Sequence, residues 1–192
     1  MTRTAPIVSI VGKSDSGKTT FLEKLIAELT SRGWRVATVK HHAHSEDDVD
    51  IAGKDSWRHR QAGAAISVVA SATQLGIVRE LTRELTLDEI AEAIGDDVDL
   101  ILTEGYKRAG RNRIEVSRVE RSDTLVCEAG EAIAIVTDNE AFDPFGMCLF
   151  GLDEADAVAD FIEERFLDRD STAAEGAQPA PVSTPDEPAG GD

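Results

Sequence analysis

Nine consecutive residues, Gly12-Lys13-Ser14-Asp15-Ser16-Gly17-Lys18-Thr19-Thr20, fit the spacing G-x-x-x-x-G-K-[ST]. Glycines at the first and sixth positions let the backbone turn with its N–H groups pointing inward. Those donors and the following helix N-terminus then receive phosphate oxygens. Lys18 supplies a positive charge to the β and γ phosphates, and the Thr19 hydroxyl can ligate a Mg²⁺ that bridges them. An ordinary Gly/Ser turn explains the glycines but not the Lys-Thr pair, so the pattern points to a bound nucleoside triphosphate.

A Mg²⁺ held by Thr19 needs a further oxygen ligand. The run Asp99-Leu-Ile-Leu-Thr-Glu104-Gly105 ends an apolar stretch in a carboxylate, at the strand end where α/β sheets bind ligands. Glu104 is the better candidate, because Asp99 sits about 17 Å away at the strand's other end; the bland reading is that Glu104 merely ends a strand. The polar stretch from Lys40 to Ser56 leaves the same sheet edge. A segment sensing the γ phosphate would sit there, with Asp50 as a metal ligand or water-positioning group. Lys18, Asp50 and Glu104 are therefore the candidate catalytic residues, and Thr19, Asp50 and Glu104 the candidate Mg²⁺ ligands. His41, His42 and His44 invite a transition-metal reading, yet three imidazoles within four residues converge only if the backbone bends sharply. A phosphate-binding role and a plain solvated loop remain open beside it.

These groups need elements to position them. Ile7–Val11 is a continuous β-branched run, expected of a strand buried on both faces. Phe21, Leu22, Leu25, Ile26 and Leu29 recur at helical spacing, with Gly33 placed to end that helix. Val36–Val39, Ile66–Val69, Leu100–Leu102 and Ile133–Val136 are further strands, and Ile114, Val116 and Val119 suggest another. Thr86 and Glu89 form a capping-box pattern, and Asp153 opens a last helix bearing Val158, Phe161, Ile162 and Phe166. Strands alternating with helical patterns predict an α/β fold of the P-loop NTPase type, a doubly wound and mainly parallel sheet flanked by helices. Residues 1–167 form this domain. Residues 168–192, rich in Ala, Pro and Gly with six acids against one Arg and no aromatic residue, read as a disordered tail.

The 192 residues carry 37 acidic and 20 basic side chains, a net charge of −17. That balance argues against nucleic acid or an anionic membrane as a partner, since both require basic surface. Only six of the basic residues are Lys, a surface suited to concentrated salt, though an ordinary acidic protein has a similar balance. Cys127 and Cys148 support neither a disulfide framework nor a structural zinc site. With no signal-like segment and no apolar run near the ~20 residues that span a bilayer, a cytoplasmic protein is expected. Two basic clusters stand out, Lys54-Arg58-His59-Arg60 and Lys107-Arg108-Arg111-Arg113. They either border the nucleotide cleft or pair with the many carboxylates.

Taken together, the chain resembles the adapter family of molybdopterin-guanine dinucleotide biosynthesis, the MobB family of P-loop GTP-binding proteins. The resemblance spans about Ile7 to Phe166. It rests on Gly12–Thr20, Val39-Lys40-His41-His42 with His44, Asp50-Ile-Ala-Gly53-Lys54-Asp55-Ser56 followed by Arg58 and Gly63-Ala64, and Leu102-Thr103-Glu104-Gly105-Tyr106-Lys107. Ala52 stands where the family usually has Pro, which removes a rigid turn residue. The resemblance implies a homodimer that binds GTP with Mg²⁺, hydrolyses it slowly, and assists the guanylyltransferase that joins GMP to molybdopterin, with molybdopterin as a further ligand. No Asn-Lys-x-Asp base-reading motif is present. Asp138, in Thr137-Asp138-Asn139, occupies a suitable place to accept guanine N1–H and N2–H. Lys13 precedes Lys18 by five residues, the spacing of the lysine that related dimeric P-loop ATPases extend into the partner's nucleotide; a solvent-facing loop Lys is the alternative. Competing functions are a P-loop small-molecule kinase or nucleotidyltransferase, and a metal-chaperone GTPase built on the three histidines.

Overall fold

The computed structural model describes residues 4–41, 49–106, 108–122, 124–139 and 146–167. His42, His44, Lys107 and the segment 168–192 lie outside the described residues. In chain order the elements are β1 (Ile7–Val11), α1 (Lys18–Ser31), β2 (Val36–Lys40), α2 (Asp55–Gln61), β3 (Ile66–Ala70), β4 (Leu75–Arg79) and α3 (Leu87–Ile94), followed by β5 (Leu100–Glu104), β6 (Arg113–Ser117), β7 (Ala132–Thr137), β8 (Cys148–Phe150) and α4 (Ala155–Phe166).

Six strands form one sheet in the order β2-β5-β1-β6-β7-β8, with every neighbouring pair parallel. All five residues of β1 are buried, because its alternate side chains serve two cores. Val8 and Ile10 join Leu102, Ile114 and Val136 beneath α1 and α4. Ile7 lies on the opposite face with Ile101, Leu87, Ala91 and Tyr106 beneath α3. Helices on both faces of a parallel sheet make the doubly wound α/β arrangement that the alternating pattern predicts.

The helices start and stop where local chemistry directs. α1 buries Phe21, Leu22, Leu25 and Leu29, and Gly33 follows its last turn with φ +92°. In α3 the Thr86 hydroxyl accepts from the Glu89 N–H while the Glu89 carboxylate accepts from the Thr86 N–H, a complete capping box. α4 begins at Ala155 with Glu154 as its cap, one residue after Asp153 itself. Arg32, just past α1, reaches Glu28 at 2.8 Å, Glu163 at 2.9 Å and Asp160, so one guanidinium binds α1 to α4. Those partners hold its pKa far above the ordinary arginine value, Asp160 first among them.

Two features depart from simple βα alternation. Ile66–Val69 is a strand, but it pairs antiparallel with β4 as a separate two-stranded hairpin rather than entering the main sheet. Its apolar residues are exposed: Val68 55%, Val69 57%, Leu75 65% and Ile77 58%. The second feature is the short link from β5 to β6. Its described residues hold no helix and cross the face of β1 at Ser9, whose hydroxyl accepts from Thr103 at 2.8 Å and from the Arg111 N–H at 3.0 Å. A side chain at Gly110 would place its Cβ 2.5 Å from the Tyr106 carbonyl oxygen and 2.9 Å from Ser9 Cβ. The crossing therefore requires a residue without a side chain there.

Candidate phosphate-binding site

The loop between β1 and α1 is where the sheet's C-terminal edge meets a helix N-terminus. Gly12 has φ +145°, and a Cβ there would lie 2.3 Å from the Val116 carbonyl oxygen. The loop can pack this closely on β6 only because that residue is glycine. At its other end Gly17 caps α1 in the left-handed region, without a side-chain cap and with no acidic residue in the first turn. The positive end of α1 is thus left for an external anion. Ser14, Asp15, Thr19 and Thr20 are exposed along this loop and first turn, whereas Ser16 is buried.

Lys18 Nζ donates to the Lys13 carbonyl oxygen at 2.5 Å, curling the ammonium back over the loop. The Thr19 hydroxyl donates to Glu104 Oε1 at 2.9 Å. Lys40 Nζ lies 3.8 Å from Glu104 Oε2, and the His41 N–H donates to the Glu104 carbonyl oxygen at 2.9 Å. Parallel pairing of β2 and β5 brings these groups together, since Lys40 is in register with Glu104. A hydroxyl oxygen and a carboxylate oxygen converging beside a phosphate loop are the hard donors that a Mg²⁺ accepts. These residues therefore fit the cation that the sequence pattern calls for. Asp99, at the far end of β5, accepts from Arg35 instead.

The remaining candidates fall elsewhere. Asp50 accepts from the Ile51 N–H at 2.9 Å and the Ser56 hydroxyl at 3.0 Å, and it faces Arg60 at 3.4 Å. Its described partners thus belong to its own segment and α2. Arg60 also pairs with Glu80 at 2.6 Å, fastening α2 to the end of the β3–β4 hairpin. His41 packs against Tyr106 with ring centroids 4.8 Å apart and planes tilted by 47°, and it contacts Glu84 at 2.9 Å; the three-histidine reading turns on His42 and His44, outside the described residues. Lys13 Nζ donates to Ser122 Oγ and, at 2.6 Å, to Thr124 Oγ1 of its own chain. Asp138 stands exposed at the end of β7, with Oδ1 accepting from the Val119 N–H at 2.9 Å.

The second basic cluster does not border the cleft as a unit. The β5–β6 link carries it back along β1, so that Arg113 pairs with Ser9 in register. Arg111 meets Asp88 at 2.6 Å and Arg113 meets Glu131 at 3.0 Å, which makes carboxylate pairing the reading that holds for these two. An apolar cavity of about 290 Å³, lined by residues such as Leu125, Cys127, Ala132 and Met147, reaches the loop's neighbourhood through Thr124, which also accepts from Lys13.

The sequence reading missed the segment 118–124, which carries no recognisable motif. Glu115, buried in β6, anchors the chain beyond that segment: its two carboxylate oxygens accept from the Val126 N–H at 2.6 Å and the Cys127 N–H at 2.8 Å. A basic residue placed just after a central strand, Arg118, was the one available signal.

Comparison with known proteins gives a consistent result. The family model described as molybdopterin guanine dinucleotide synthesis protein B matches residues 7–138. A molybdopterin-guanine dinucleotide biosynthesis adapter protein of Haemophilus influenzae is 36% identical over 164 residues, 85% of this chain and 90% of that one. The Escherichia coli protein of the same description is 34% identical over 83% of this chain and 92% of its own length. The crystal structure of Bacillus subtilis MobB superposes with a TM-score of 0.67 at 28% identity, covering 84% of this chain and 98% of that one.

Proposed function

Because this chain belongs to the family of molybdopterin guanine dinucleotide synthesis protein B, we propose that it is a GTP-binding adapter in the biosynthesis of that dinucleotide. It serves the guanylyltransferase that joins GMP to molybdopterin, with molybdopterin itself as a further ligand. The observation that carries the nucleotide part is the contact between Thr19 and Glu104 at 2.9 Å beside the phosphate loop. In this reading Gly12–Thr20 wraps the phosphates, Lys18 turns from the Lys13 carbonyl to the β and γ oxygens, and Thr19 and Glu104 hold Mg²⁺. Bound Mg²⁺ supplies charge neutralisation between the phosphates. Hydrolysis is slow, and the segment from His41 to Ser56, including Asp50, responds to the γ phosphate.

Guanine is selected by Asp138, whose exposed carboxylate accepts from the base while Oδ1 also holds the Val119 N–H. The protein acts as a homodimer in the cytoplasm. Support for the dimer comes from the β3–β4 hairpin, whose apolar side chains are exposed and whose two strands pair with each other alone among the described residues. Among the described residues no helix is long and apolar enough to cross a membrane.

The test is a reconstitution with GTP and Mg²⁺, with and without the guanylyltransferase and molybdopterin. The expected result is faster GMP transfer with the partner and slow phosphate release without it. Phosphate transfer to a small acceptor in the absence of any partner would overturn the adapter reading in favour of a kinase. Calorimetry with GTP, ATP and their diphosphates decides the base.

A further inference from the structure

Among the described residues, two buried side-chain polar atoms lack a hydrogen-bond partner, Ser16 Oγ and Arg118 Nε. Both lie at the phosphate loop. A Cβ built on Gly17 would fall 3.0 Å from Arg118 Nε and 3.3 Å from both Cζ and Nη2, so the guanidinium packs against the last loop residue before Lys18. Three observations fix it there. Arg118 directly follows β6, the next N–H is held by Asp138, and its carbonyl oxygen accepts from the Arg121 and Ser122 N–H groups.

This placement is electrostatically costly without an anion. Arg118 shares the loop with Lys13, Lys18 and the uncapped positive end of α1. Asp153, whose carboxyl the charge of Arg118 helps to lower, already pairs with Lys24 at 2.6 Å. A buried guanidinium N–H with no acceptor forfeits its hydration as well. Positive charge concentrated in this way, on a chain of net charge −17, is repaid by a polyanion in the loop.

We infer that Arg118 is a third phosphate-binding cation of the site, donating to the α or β phosphate of a bound nucleotide beside Gly17. It follows that the loop is clamped at two points, by Arg118 at Gly17 and by Ser122 and Thr124 on Lys13. This rests on the nucleotide reading above. Because loop backbone of this kind cradles the α and β phosphates, di- and triphosphates should depend on Arg118 alike, which separates its role from γ-phosphate sensing.

The experiment titrates N-methylanthraniloyl GDP and GTP with Mg²⁺ into the full chain, into Arg118→Gln and into Arg118→Lys, at several salt concentrations. The expected result is a loss of about 10- to 100-fold for both nucleotides in Arg118→Gln, as for removing a charged hydrogen bond. Its salt dependence should be flatter, Arg118→Lys should recover part of the loss, and melting in the absence of nucleotide should be no lower than that of the unaltered chain. Equal affinity and equal salt dependence in the Gln variant overturn the inference alone. So does a loss of affinity that follows a lowered melting temperature without a change in salt dependence. If the unaltered chain binds neither nucleotide, the nucleotide reading fails and takes this inference with it.

Discussion

The Thr19 hydroxyl donates to Glu104 Oε1 at 2.9 Å across 85 residues of sequence, joining the start of α1 to the end of β5. If this pair holds Mg²⁺, Thr19→Ala and Glu104→Gln each weaken GTP binding by about 10- to 100-fold when Mg²⁺ is present, the scale of a lost charged interaction. Calorimetry with and without EDTA checks this. Chelation should bring the variants and the unaltered protein to nearly the same affinity.

The hairpin makes a different demand. Val68 and Ile77 are in register on β3 and β4 and are 55% and 58% exposed. Val68→Asp or Ile77→Asp should convert a dimer to a monomer by light scattering while the far-ultraviolet circular dichroism stays the same. A monomer already present in the unaltered protein at micromolar concentration would refute the dimer.

Cysteine chemistry is set by burial. Buried apolar surroundings, with the charge of Glu115 and a hydrogen bond to it, push the Cys127 thiol up to about 11, which leaves little thiolate at neutral pH. Cys148 is only partly buried. Iodoacetamide at pH 7.5 should therefore label Cys148 first, with Cys127 reacting on the timescale of unfolding; mass spectrometry of the labelled peptides reads the order.

A pH effect is expected at the start of α3. The hydrogen bond from Arg83, then the one from the Thr86 N–H, hold the Glu89 carboxyl down at about 2, below the ~4.3 of an unfolded chain. Its contribution to stability is complete above that unfolded value and disappears as the pH falls towards 2. Urea midpoints of the unaltered protein and Glu89→Gln should differ at pH 7 and converge by about pH 2. A gap that stays constant across that range would show that the carboxylate is not the source.

How far the sequence carries depends on whether a residue's partners are local. The Gly12–Gly17 turn between β1 and α1, the α1 stripe and the Thr86–Glu89 box are contiguous patterns, and their local geometry follows the residues. Glu104 ends β5 beside Thr19, the end of the strand that an apolar run closing in a carboxylate indicates. The β3–β4 pairing was not legible, since Ile66–Val69 has the composition of a buried strand and only exposure of Leu75 and Ile77 reveals otherwise. Cleft lining and carboxylate pairing stayed equally open for the basic residues after Glu104, because nothing in their sequence announces the turn back across β1 that pairs Arg111 with Asp88 and Arg113 with Glu131. Arg118 offered only its place after a central strand, because the residue it packs against, Gly17, lies about a hundred positions earlier in the chain.

β1 has its two sheet neighbours, β5 and β6, in the second half of the chain, and α4, which packs with α1, comes later still. During synthesis the phosphate loop therefore leaves the ribosome long before the strands that pin it. Non-local pairing of this kind folds slowly, and β1 offers an apolar edge until Ser117 has emerged. A nascent or truncated chain lacking β6 has neither Val116 to support Gly12 nor Arg118 beside Gly17. The close packing of Gly12 on Val116 is therefore assembled only after translation has passed β6.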